Sequence, residues 1–271
     1  MKKIVLVFGC LVFGLCFAPV AMAGTAVGSG IDLSAHDLAA GYPAPSPDPL
    51  TRICIYCHTP HHAYKLSTAN GGFPALGTGD VAPDAYNYLP LWNHTLTLNS
   101  VFYPYQNGPG APQNPLAPKA SQAIANGMTV GSSSLLCLSC HDGSVAVNSY
   151  GTSTMAGTGS YARGSAFVVG ANLIGQGGYL GNHHPIGFDY DSVSGTDLEI
   201  RPADVAFLGT AGPVRSHLYG GLTGVAQMEC ATCHSVHNTG NTGETLLWRS
   251  DQNSRLCLTC HIKGTDPGLT P

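Results

Sequence analysis

Four times the chain sets two cysteines three positions apart with a histidine directly after the second: Cys54-Ile-Tyr-Cys57-His58, Cys137-Leu-Ser-Cys140-His141, Cys230-Ala-Thr-Cys233-His234 and Cys257-Leu-Thr-Cys260-His261. On one helical turn, residues i and i+3 share a face, and the residue at i+4 lies beside them. Two thiols on one face can each form a thioether to a vinyl group, and the imidazole can reach the iron from the same side. C-x-x-C-H is accordingly the attachment sequence for c-type haem. Paired C-x-x-C segments could instead build zinc ribbons, and eight cysteines could form four disulfides. Neither alternative accounts for a histidine after every second cysteine. Four covalent haem c groups are the expected cofactors, held by the eight motif cysteines and ligated by His58, His141, His234 and His261.

The remaining histidines bear on the other side of each iron. Twelve histidines are present, so eight stand outside the motifs: His36, His61, His62, His94, His183, His184, His217 and His237. Beyond residue 23 the only methionines are Met128, Met155 and Met228, too few to give four haems the His/Met pairing of small cytochromes c. Bis-histidine ligation throughout is the economical reading. His61 and His237 each lie three residues after a motif histidine, in CHTPH and CHSVH. The motif histidine occupies the near side of its own iron, and a neighbour on the same short segment cannot cross the porphyrin. It can ligate a different haem alongside, so this spacing implies closely stacked haem pairs. For His94, beside Trp92, packing or a propionate contact competes with ligation, and for His217, near Arg215, a surface role is expected.

The elements that position these groups are sparse. Lys2 and Lys3, an apolar run from Ile4 to about Val20 and the small-residue pattern Ala21-Met22-Ala23 read as an export signal over 1–23, carrying Cys10 and Cys16. Residues 24–271 are then expected to form a single exported domain. With 35 Gly, 19 Pro and only 10% charged residues, such a chain orders few helices and strands by itself. Covalently fixed macrocycles would replace much of the missing side-chain core. The expected fold is mostly irregular and coil-rich, with short helices at the motifs and few short strands, wrapped around a stacked haem chain. Ser121 to Gly127 and Ser250 to Cys260 read as helical, and Val101 to Tyr105 and Ser165 to Val169 as short strands. The third and fourth motifs stand close together in sequence, which predicts a compact C-terminal unit. The motif-free segments 66–120 and 142–229 are expected to sheath the haems.

The segments "SAHDL", "ICIYCHTPHH", "LPLWNHTL", "LLCLSCHDGSVAV", "NHHPIGFDY", "MECATCHSVHN" and "LCLTCHIK", in that order, resemble the multihaem cytochromes with doubled C-x-x-C-H motifs from metal-reducing bacteria. The resemblance is strongest to the tetrahaem members that polymerise into extracellular cytochrome filaments, or nanowires. It implies His36, His61, His184 and His237 as distal ligands, with His183 an alternative to His184 and His62 to His61. It further implies an extracellular or cell-surface location, with the periplasm as the alternative. The implied partners are identical subunits head to tail, other multihaem cytochromes, and extracellular metal oxides or other acceptors.

If every iron has two protein ligands, none is open to substrate, so an electron carrier is expected rather than an enzyme. Imidazole pairs also favour low potentials compared with His/Met haems. The formal charge of −4 becomes −6 without Lys2 and Lys3, which argues against a nucleic-acid partner. A soluble periplasmic shuttle is the rival within the same class. A multihaem oxyanion reductase, with one iron face open or paired with lysine, is the rival outside it.

Overall fold

The computed structural model describes residues 27–40, 48, 50–61, 91–94, 96–99, 101–103, 128, 130–150, 166–207, 212–222, 224–241 and 244–264. The expected export signal, the helix at Ser121 to Gly127, and His62 lie outside them.

Each motif rides on one short helical element. The first occupies a 3-10 turn, Ile53–Tyr56, closed by His58 N–H donating to the Cys54 carbonyl at 2.8 Å. The second ends α1, Ser132–His141. Helix α2, Tyr190–Ser194, carries no motif; α3, Cys230–Cys233, and α4, Arg255–Cys260, carry the third and fourth. On α1 the leucines at 135 and 138 are buried together with Val130 and Leu180, while Cys137 and Cys140 share a separate stripe at the same i, i+3 spacing. One helix thus anchors itself with one face and presents both sulfurs with another.

Between the second and third motifs lies the larger apolar cluster, built on Phe188, Tyr190, Val193, Phe207, Val214 and Met228. A two-residue antiparallel pair, β1 (Phe188–Asp189) with β2 (Gln227–Met228), closes it, Phe188 opposite Met228. Asp189 caps α2 by accepting from Asp191 N–H at 3.1 Å, a Ser/Thr/Asp-type start signal legible in the sequence. Cys233, Cys260, Trp248 and Leu256 pack against this cluster, so the third and fourth attachment sites share one support.

Of the two expected strands, Val101 to Tyr103 of the first and residues 166–169 of the second are among the described residues. Tyr103 bridges to Tyr179 through backbone hydrogen bonds with Gly178 and Leu180. Residues 166–169 form no strand; Ala166 instead accepts from Val147 N–H at 2.7 Å. The stretch before the fourth motif is broken: Asn253 and Ser254 take positive φ (56° and 60°), separating the 3-10 turn Gln252–Ser254 from α4. Among the described residues no helix is long and apolar enough to cross a membrane.

Candidate haem-attachment and ligation site

None of the eight motif cysteines is paired in a disulfide; Cys54 and Cys257 are exposed and the rest half-buried. Burial raises the Cys57 thiol to about 11 and the Cys233 thiol to about 12. Their neighbours reveal the order of the sites. Cys57 acts electrostatically on Cys140, second to burial. Cys137 and Cys230 share a hydrogen bond. Cys260 and Cys257 both act on Cys233. The first attachment site thus lies beside the second, the second beside the third, and the third beside the fourth.

Three motif histidines face a histidine from elsewhere. His36 stands against His141 with ring centres 6.2 Å apart, His237 against His58 at 6.1 Å, and His184 against His261 at 6.2 Å. Two imidazoles on opposite sides of one iron, each with a metal–nitrogen bond of about 2.0 Å and a ring centre about 1.1 Å beyond it, stand about 6.2 Å apart. Trp92 also lies 6.2 Å from His58 but offers no ligand atom, so it is the pairing of imidazoles that fits an iron between them.

Hydrogen bonds orient these rings. The Nδ1–H groups of His141, His36 and His184 donate to the carbonyls of Asn172 (2.8 Å), Val236 (3.3 Å) and Pro185 (2.8 Å). Each bond leaves Nε2 with its lone pair free, the usual arrangement of a metal-bound histidine with its second nitrogen tied to a carbonyl. Burial, chiefly, holds His36 and His261 below the ordinary imidazole value, which favours the neutral form that binds iron.

The remaining histidines separate clearly. Of the doubled residues 183 and 184, it is His184 that faces a motif histidine. His61 and His234 are exposed; neither makes a ring contact with another histidine among the described residues, while His234 lies within electrostatic reach of His141 and His36. The buried ring of His94 donates from Nε2 to the Ala146 carbonyl at 3.0 Å and lies 3.4 Å from the Cys140 sulfur, packing against an attachment site rather than facing an iron. His217 is not a free surface residue: it is half-buried between Phe207 (4.1 Å) and Trp248 (4.9 Å). Its proximity to these rings comes from the 3-10 turn Val214–His217, which no local pattern announces.

Among the described residues, two buried N–H groups beside the sites have no acceptor: Trp92 Nε1, next to His58, and Arg255 Nε, two residues before Cys257. A buried N–H without an acceptor costs about 1–3 kcal/mol, and the carboxylates of a haem supply acceptors of the right kind. Among the described residues, no three or more His, Cys, Asp or Glu side chains converge as a bare-ion site. Facing imidazole pairs beside cysteine pairs suit a macrocycle better than a zinc ion.

Residues 223–265 match the family model of the doubled CXXCH motif. The match supports a multihaem c-type cytochrome with covalently bound haem c. It spans the third and fourth motifs, and the first two repeat the same pattern outside it. No curated protein and no solved structure matches the chain. A c-type cytochrome of this kind is typically exported and suggests electron transfer.

Proposed function

We propose that the protein is a tetrahaem electron-transfer cytochrome in which every iron is held by two histidines, working outside the cell as the subunit of a head-to-tail filament. The observation that supports it most is the set of three facing pairs, His36 with His141, His237 with His58 and His184 with His261. When bound, the haems supply one-electron iron chemistry. The chain's own residues do the rest. The motif cysteines would hold the haems covalently, the paired histidines would ligate the irons, and the Nδ1 hydrogen bonds of His36, His141 and His184 keep those imidazoles oriented. An iron filled in this way has no position for substrate and exchanges only electrons.

The filament reading turns on the iron of the third motif. His234 has no facing histidine among the described residues, and His61 is an exposed histidine without one. In the proposed assembly, His61 of one subunit completes the iron at His234 of the next. Such a contact is heterologous and need not close, so it propagates. Electrons then pass along haems that run through each subunit and across each joint.

The same observation favours a second reading, a multihaem oxyanion reductase in which the iron at His234 keeps an open face. Intact mass and haem stain of the mature protein test the common part: four haems are expected, and two or fewer, or free thiols, would sink it. Cryo-microscopy and magnetic circular dichroism of native material separate the rest. Filaments with every iron low-spin support the proposal. A strictly monomeric protein with every iron low-spin makes a periplasmic shuttle the better reading. A high-spin iron that binds nitrite in the native state makes the reductase the better one.

A further inference from the structure

Glu229 is a buried carboxylate, 1% exposed, placed directly before the third motif. Its surroundings are built to hold it. Oε1 accepts from the Gly131 N–H at 2.9 Å, and Oε2 accepts from the Ser134 hydroxyl. The same Ser134 oxygen accepts from Cys230 N–H at 3.0 Å. Glu229 also starts α3 through its backbone: its carbonyl accepts from Thr232 N–H at 3.0 Å, and its own N–H donates to Thr232 Oγ1 at 3.0 Å. Position 131 has to be glycine for this, because a Cβ there would run into Oε1. One carboxylate thus ties the N-terminal ends of α1 and α3, the two helices that carry the second and third attachment sites.

A plain clamp would not need a charge. A hydroxyl or an amide could accept the same bonds, and burying a carboxylate is costly unless donors compensate it. Two donors converge on the carboxylate, the Gly131 N–H and the Ser134 hydroxyl, one on each oxygen, and hydrogen bonds to the charged form favour it. The charge also lies within electrostatic reach of the Cys137 sulfur, which is itself hydrogen-bonded to Cys230. These two neighbouring cysteines would each carry one haem, so both haems would lie near the carboxylate.

We propose that Glu229 is a fixed negative charge shared by the haems attached at Cys137/Cys140 and Cys230/Cys233, holding both at lower reduction potential than the same ligands would otherwise give. Oxidised iron carries one more positive charge than reduced iron, so a nearby anion in a low-dielectric interior stabilises the oxidised state. The electron enters and leaves the iron alone, and the carboxylate keeps its charge in both states. Glu229 is in this sense a positioning residue of the electron path, acting through the field it imposes.

The inference rests on the haem-bearing reading above, and the experiment keeps the two apart. Haem content of the loaded wild type, by pyridine haemochrome, comes first: absence of haem overturns that reading and with it the inference. On loaded protein, potentiometric titration with optical detection is compared for wild type, Glu229→Gln and Glu229→Asp. The Gln variant is expected to move two of the four midpoints upward and leave the other two in place, with all spectra still low-spin. The Asp variant is expected to stay near wild type. Unchanged midpoints in a fully loaded Gln variant overturn the proposal, as does an equal upward shift in the Asp variant. If the Gln variant fails to mature, Ser134→Ala carries the test. It keeps the charge and removes one compensating donor, so the same two midpoints should fall, and no change or a rise overturns the proposal.

Discussion

The ring centres of His237 and His58 lie 6.1 Å apart, although the two residues belong to motif segments far apart in the chain. His237 follows its own motif histidine by three positions, yet it faces the iron site of another motif. Val236, one residue earlier, accepts the Nδ1–H of His36, and His234 begins the same short run. Five consecutive residues, 233 to 237, therefore bear on three attachment sites at once.

Replacing His237 by Ala should leave the covalent haem content unchanged, because thioethers do not depend on axial ligation. One iron, that at His58, should become high-spin. Resonance Raman and magnetic circular dichroism of the variant measure it, and four low-spin irons would show that His237 is not a ligand.

His94 offers the contrasting case. Its Nε2 is engaged by the Ala146 carbonyl, so His94→Ala should keep every iron in its wild-type spin state. The loss should instead be in stability, about 1–3 kcal/mol, from a buried carbonyl left without its donor. Denaturant unfolding of the loaded protein gives the second quantity and its visible spectrum the first.

For His61→Ala the expected outcome is four retained haems, one iron short of a ligand, and no polymer. Electron microscopy and sedimentation read the assembly state. Normal filaments from this variant would remove the bridging role.

Acid should detach ligands in a defined direction. Burial lowers His36 below 6.5, so the neutral ring is the folded form. A depressed value means that the ring's contribution is complete above the unfolded value and is lost as pH falls through the folded one. The iron at His141 should therefore stay low-spin at neutral pH and turn high-spin only below pH 6.5. An optical pH titration checks this, and an onset above 6.5 would exclude His36 as the ligand.

Phe207, 2% exposed, stacks on His217 and belongs to the cluster that backs Cys233 and Cys260. Phe207→Ala should cost about 3–5 kcal/mol, since a cavity replaces a large buried ring. Thermal unfolding of the loaded protein should show this, with the third and fourth haems losing their native spectra together.

Local chemistry was legible because it is local. Two cysteines and a histidine on one helical turn declare themselves by spacing alone, as in Cys230-Ala-Thr-Cys233-His234, and the same periodicity that pairs Leu135 with Leu138 also pairs Cys137 with Cys140. The spacing of CHSVH likewise carried the idea that His237 serves a second site. Which site it faces was not legible, because the relation of residue 237 to residue 58 is set by how long connections fold back, and no period in the sequence encodes that distance. The same holds for His184 over His183, where one position along the chain decides which ring meets His261. His94 and His217 show the limit most plainly: equal as side chains, they were separated only by what packed around them, a carbonyl and a sulfur for one and two aromatic rings for the other. No spacing or motif singles out Glu229; α1 and α3 enclose it, since burial and converging donors are properties of packing between distant segments and not of neighbours in the chain.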